Sequence, residues 1–274
     1  MKCNSFPLIP KRASIFLPSL LLLLFVVNFP SAISTYFWHT CDNSSTFTDG
    51  STYSTDLNLV INDLFRNAPQ SSGFNTSSHG QSPNKVYGLV QCNGNISPLN
   101  CSKCMVEANS TIQERCTNDM GGRIWLDDCF LRYEHSNFIS TLDTNGSILV
   151  NVNSITGEVF KSTTSRLLSN LSNKAYIPAN KGFAAGSTNY SASGMLYGSV
   201  QCWRDISTQD CRKCLDAATT TLNKCCSTNQ GARFLGGSCK VRYETYSFLT
   251  LLSRPLHPLR APLQILPQLH RLSQ

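Results

Sequence analysis

The segment CNGNISPLNCSKC at residues 92–104 returns as CWRDISTQDCRKC at residues 202–214, with every cysteine in step. Cys92, Cys101, Cys104, Cys116 and Cys129 map without a gap onto Cys202, Cys211, Cys214, Cys226 and Cys239, at a constant offset of 110 residues. The flanks agree, since YGLVQC (87–92) answers YGSVQC (197–202) and FLRYE (130–134) answers KVRYE (240–244). Twenty of 52 positions are identical between 87–138 and 197–248, enough to infer one fold used twice. A period of 110 residues is a domain rather than a solenoid unit, because each copy is large enough to bury its own core. Two domains are expected, over 35–141 and 142–250. The polar run LDTNGS (142–147) joins them and contains the turn signal Asn145-Gly146.

Coarse elements follow from the residues around the cysteines. After Asn100 and Asp210, each a good N-cap, the spacing places Cys104, Ala108 and Ile112, or Cys214, Ala218 and Leu222, at i, i+4, i+8 on one helical face. An earlier helix shows Leu57, Val60, Ile61, Leu64 and Phe65 with the same period, and its counterpart shows Leu167, Leu168 and Leu171. Clusters of Val, Ile, Leu, Tyr and Phe with nearby glycines at 85–92, 122–134, 195–202 and 232–244 read as strands. Helices together with antiparallel strands give an α+β class for each domain.

The chain opens on Lys2, Lys11 and Arg12 without an acid, followed by the apolar run IFLPSLLLLLFVV (15–27). This is the pattern of a signal peptide over 1–34, with small residues at Ala32 and Ser34 before the expected cut. No second apolar span of membrane length follows, so a secreted, apoplastic protein without a membrane span is expected. Residues 254–270 (RPLHPLRAPLQILPQLH) repeat Pro and Leu without helical or strand period, and a disordered tail is expected over 251–274. The formal charge of +7 sits largely in the leader and the tail, because residues 35–253 hold 17 basic against 16 acidic side chains. A phosphate-binding patch is not evident, and no nucleic-acid partner is expected.

Cys3 leaves with the leader, and twelve cysteines remain, six in each half. In an oxidising compartment this reads as three bridges per domain, although six cysteines allow about fifteen connectivities. CSKC (101–104) and CRKC (211–214) also admit a zinc site or a redox pair, but neither the reduced compartment nor a βαβ context is evident. No metal and no cofactor are expected. Eight sequons stand at Asn43, Asn75, Asn95, Asn100, Asn109, Asn145, Asn170 and Asn189, which predicts a glycoprotein. His39, His79 and His135 lie in no nucleophile or metal motif, and no GxSxG, HExxH or phosphate-cradling loop appears. Asp127-Asp128 reads as a solvated pair near a turn, and the chain is not expected to be an enzyme.

The pattern C-x8-C-x2-C, preceded by YG-x-VQ and followed by G-[GA]-R and RYE, resembles the ginkbilobin-type (stress-antifungal, salt-stress response) domain of plants. Two copies in tandem resemble cysteine-rich repeat secretory proteins and the ectodomains of cysteine-rich receptor-like kinases. The resemblance implies two helices packed on a five-stranded antiparallel sheet in each copy. It implies the pairs Cys92 with Cys101, Cys104 with Cys129 and Cys41 with Cys116, then Cys202 with Cys211 and Cys214 with Cys239. At the repeat offset Cys41 falls opposite Asn151, so Cys226 lacks that partner. Either it bonds its neighbour Cys225, or one of the two bonds elsewhere.

The resemblance also implies a mannose site made of an Asn after the first cysteine, the Arg of G-A-R and the Glu of Y-E. Amide, guanidinium and carboxylate together offer donors and acceptors for vicinal hydroxyls. In the first copy these positions hold Asp42, Arg123 and Glu134, and an ionised Asp accepts but cannot donate. In the second copy Arg233 and Glu244 match, while Val152 falls at the third position. A purely structural Arg–Glu pair is the competing reading. The expected function is recognition or defence through carbohydrate or extracellular protein contacts, including association with membrane receptors. The alternatives are an ectodomain fragment of a receptor-like kinase, lacking membrane span and kinase, and more remotely a CxxC redox enzyme.

Overall fold

The computed structural model describes residues 35–249, so the expected leader and tail lie outside the described residues. Each copy lays two helices across one face of a five-stranded antiparallel sheet, as the resemblance implies. In the first copy β1 (Tyr36–Cys41), α1 (Thr52–Asn67), β2 (Phe74–His79), β3 (Val86–Cys92), α2 (Pro98–Arg115), β4 (Gly121–Leu126) and β5 (Cys129–Glu134) follow in order. The second copy repeats them as β6 (Gly146–Val150), α3 (Glu158–Ala175), β7 (Phe183–Asn189), β8 (Met195–Cys202), α4 (Thr208–Cys226), β9 (Gly231–Gly236) and β10 (Cys239–Glu244). The sheets run β1-β4-β5-β3-β2 and β6-β9-β10-β8-β7.

The helix α2 starts three residues earlier than the sequence suggests. Ser97 is its N-cap, with its Oγ accepting from the Asn100 N–H, and Pro98 opens the first turn, where a missing N–H costs nothing. Ser207 caps α4 the same way, through the Asp210 N–H. Both helices bury the expected faces: Cys104, Ala108 and Ile112 on one, Cys214, Ala218 and Leu222 on the other.

Strand alternation turns every second residue away from the helices. On β5, Leu131 and Tyr133 enter the first copy's core, whereas Phe130 joins a separate cluster with Leu89, Trp125, Phe138, Trp203 and Leu235. This third core belongs to both copies: Phe130 stacks on Trp203 with ring centroids 4.4 Å apart. The two sheets are therefore covered on both faces, by helices on one side and by the other copy on the other.

Among the described residues, six disulfides close the structure. Cys41–Cys116, Cys92–Cys101 and Cys104–Cys129 lie in the first copy, and Cys202–Cys211, Cys214–Cys239 and Cys225–Cys226 in the second. Neither CxxC motif is joined internally: Cys101 and Cys104, like Cys211 and Cys214, are each bonded to a cysteine outside the motif.

Candidate functional site

On β4 and β5, Arg123 and Glu134 share the face turned toward the second copy. Glu134 Oε1 accepts from Arg123 Nε (3.1 Å) and Nη2 (3.0 Å) and from Arg132 Nε (2.8 Å). The remaining arm of Arg123 donates from Nη1 to Asp143 Oδ2 at 2.6 Å. Burial would raise the Asp143 carboxyl, but the hydrogen bond and charge of Arg123 outweigh it and hold the group below the usual range. Asp42 arrives from the end of β1, its N–H donating to the Gly121 carbonyl at 2.8 Å. The Ser44 hydroxyl and N–H bind Asp42 Oδ1 and lower its carboxyl further, so the side chain is an acceptor only. Gly121 leaves room between the two acids: a Cβ there would lie 3.0 Å from Asp42 Cβ and 3.3 Å from Glu134 Cγ. Asp42, Arg123 and Glu134 are thus brought together, with each nitrogen of the guanidinium making one bond to a carboxylate.

The second copy repeats the pair. Glu244 Oε1 accepts from Arg233 Nε (3.0 Å) and Nη2 (2.8 Å) and from Arg242 Nε (3.1 Å). The third position, however, is not Val152. Cys41 pairs with Gly122 across the sheet, and the residue that pairs with the corresponding Ala232 is Val150. The next residue, Asn151, donates its N–H to the Gly231 carbonyl at 2.8 Å, reproducing the bond of Asp42 to Gly121. Its Oδ1 accepts from the Asn153 N–H at 3.0 Å, as Asp42 does from Ser44. Val152 is 87% exposed.

The reason for the correction is a drift in register. The offset set by the later cysteines does not extend to the first strand. Gly73 and Gly182, whose carbonyls bind the Cys92 and Cys202 N–H groups, already stand 109 residues apart, as do Asp42 and Asn151. With Oδ1 occupied, the Asn151 amide Nδ2 has no partner among the described residues. It lines a cleft of about 240 Å³ together with Leu149, Gly231, Arg233, Glu244 and Tyr246. The second copy therefore holds the complete amide, guanidinium and carboxylate set.

Asp127 and Asp128 form the turn between β4 and β5, and they are not a solvated pair. Asp127 Oδ1 accepts from Arg242 Nη1 of the second copy at 2.8 Å, and its carbonyl accepts from Lys240 Nζ at 3.3 Å. Burial raises the Asp128 carboxyl, with the neighbouring Asp127 charge adding to the effect. Burial also pushes Lys240 down to about 8, against the pull of both acids.

A search against protein families matches residues 40–136 and 150–246 to the salt stress response/antifungal domain. The chain belongs to this family. It is 40% identical over 215 residues to the antimicrobial ginkbilobin-2-like protein of Castanea crenata, covering 77% of this chain and 88% of the relative. It is 38% identical over 218 residues to cysteine-rich repeat secretory protein 38 of Arabidopsis thaliana, covering 78% and 86%. Cysteine-rich receptor-like protein kinase 10 of the same plant is 34% identical over 79% of this chain, which spans 32% of that kinase. The crystal structure of the tandem DUF26 ectodomain of the Arabidopsis thaliana receptor-like protein PDLP8 superposes with a TM-score of 0.69 at 24% identity, over 78% of this chain and all of that one. The fold is that of tandem ectodomains, and the family is that of ectodomain and antifungal proteins. Among the described residues no helix is long and apolar enough to cross a membrane.

The sequons of this family member differ in accessibility. Asn43, Asn100, Asn145, Asn170 and Asn189 are exposed. Asn75 is half-buried and donates to the Asp63 carbonyl, Asn109 buries its amide oxygen, and Asn95 lines the seam between the copies.

Proposed function

We propose that the chain is a secreted, non-catalytic recognition protein of the defence type, which takes a mannose-like carbohydrate through Asn151, Arg233 and Glu244. The observation that carries the reading is the unpartnered Asn151 donor beside the Arg233–Glu244 pair in an open cleft. A pyranose presents adjacent hydroxyls that both donate and accept, and this set meets them with both kinds of group. The first copy's Asp42, Arg123 and Glu134 form a related site that lacks the donor and whose guanidinium is bound by Asp143. Relatives named as antimicrobial and as secretory support an apoplastic role. A glycan borne by an extracellular protein or a membrane receptor satisfies the same chemistry, which accommodates the match to receptor kinases.

Calorimetric titration with mannose tests the site. Wild type binds, and Asn151→Asp weakens binding by about fivefold to 100-fold, because the donor that meets the sugar hydroxyl is replaced by an unmatched acceptor. Val152→Ala leaves affinity unchanged. Equal affinity of wild type and Asn151→Asp removes Asn151 from the site.

A further inference from the structure

Resting on the carbohydrate reading above, we infer that the site continues past Tyr246 into the seam between the copies, and that its ligand is a neutral oligosaccharide of at least two rings. The Asn151 cleft is not closed at its far side. It shares Leu149, Arg233 and Tyr246 with a second cleft of about 540 Å³, whose other walls include Phe37 and Asp127 of the first copy and Arg242 and Phe248 of the second. Tyr246 stands between them. Its hydroxyl accepts from Arg233 Nη2 and Arg242 Nη2, each at 3.1 Å, which fixes the ring, and 48% of the residue remains exposed.

The other aromatic rings lining this second cleft, Tyr36, Phe37 and Phe248, are less exposed and each has a guanidinium near it, Arg115 standing 5.7 Å from the Tyr36 centroid. The Arg233 guanidinium lies 4.0 Å from the Phe37 centroid, and that of Arg242 lies 3.8 Å from Phe248. The Arg242 guanidinium stands farther from Tyr246, 5.9 Å from its centroid, and Tyr246 is the most exposed of these rings; an immobilised aromatic face between two hydrogen-bonding clefts is suited to the apolar face of a pyranose. The cations of the seam are compensated within it: Arg233 is paired with Glu244, and Arg242 with Glu244 and Asp127. This argues for an uncharged ligand rather than a phosphate or uronate. The residue that aligns with Tyr246 at the 110-residue offset of RYE is Ser136, whose hydroxyl turns onto Glu134 Oε2 at 3.4 Å. The platform is thus a property of the second copy, and the wall across from it is supplied by the first.

The experiment is calorimetric titration of the mature chain with mannose and with an α-linked mannotriose. Mannotriose binds about tenfold more tightly than mannose, equivalent to about 1.4 kcal/mol. Tyr246→Ser removes that preference, whatever its effect on mannose itself, while Tyr246→Phe, which keeps the ring but not the two hydrogen bonds that fix it, retains part of the preference. Circular dichroism confirms that both variants are folded. Equal affinity for the two sugars, unmoved by Tyr246→Ser, overturns the extended site and leaves the monosaccharide reading intact. Absence of binding by either sugar to wild type overturns both.

Discussion

The strand that ends at Cys41 and the strand that ends at Val150 occupy the same edge of two copies of one sheet, but only the first is covalently pinned. Cys41–Cys116 ties β1 to the end of α2 across 75 residues of chain, whereas Val150 has no thiol and Cys226 is bonded to the adjacent Cys225. A bridge between neighbours closes no loop. The same fold therefore tolerates loss of its longest cross-link when the ladder of β6 with β9 and the shared core between the copies are in place. The covalent anchor and the side-chain amide also change places: the pinned copy carries Asp42, and the unpinned copy carries Asn151.

The sharpest way to break this comparison is to remove each copy's distinctive bridge. Cys41→Ala with Cys116→Ala lowers unfolding free energy by about 2–5 kcal/mol, since cross-linking a long loop restricts the unfolded chain most. Cys225→Ala with Cys226→Ala costs well under about 1 kcal/mol by the same account, which depends on loop length. Mild reductant releases Cys225 and Cys226 first, because Cys225 is exposed while the partners of the other bridges are mostly buried. Denaturant unfolding and differential alkylation provide the readouts. Equal destabilisation by the two double replacements would show that the vicinal pair holds more than itself.

A second contrast lies in the seam, where Phe130 of the first copy aligns with Lys240 of the second. Phe130 stacks on Trp203, and the half-buried Lys240 stands against Asp127, with Asp128, Arg233 and Arg242 also facing it. Its folded value of about 8 lies below the ordinary 10.5, so the folded chain sheds this proton before the unfolded chain does. Between those values the unfolded state binds more protons, and stability rises with pH. Lys240→Met flattens that rise, measured by denaturant unfolding at about pH 7 and about pH 9.5. An unchanged slope in the variant would assign the pH dependence to other groups.

These contrasts also show what the chain discloses in one dimension. The repeat, the helix faces at Cys104, Ala108 and Ile112, and the inner strands were legible because each is a local period anchored by cysteines. The edge strands β1 and β6 were not, since YFWHTC and GSILV show no decisive alternation and owe their state to pairing with β4 and β9. The shared core was hidden for a related reason: Phe130 and Trp203 meet only once two sheets are stacked. Asn151 was displaced by Val152 because the gap-free offset was carried past residues where the copies differ in length. A carbonyl-to-amide bond with Gly231, invisible in sequence, fixes the true register.

The smallest effect is expected in the first copy, and it tests the proposal that the site there is the weaker of the two. In an Asn151→Asp background the second copy is weakened, so a change in sugar binding on altering the first copy reports on Asp42, Arg123 and Glu134. Asp42→Asn supplies the missing donor, yet on its own it gives no measurable gain, because Arg123 still commits Nη2 to Glu134 and Nη1 to Asp143. Adding Asp143→Ala frees one arm of the guanidinium. The double change then gains about 0.5–1.5 kcal/mol in mannose binding, or roughly two- to twelvefold, the yield of one restored hydrogen bond. Arg123→Ala on top of both removes the gain, since the freed arm is what the sugar hydroxyl meets. If Asp42→Asn alone binds as tightly as the double change, the Asp143 clamp is not what silences the first copy, and the difference between the copies reduces to one amide.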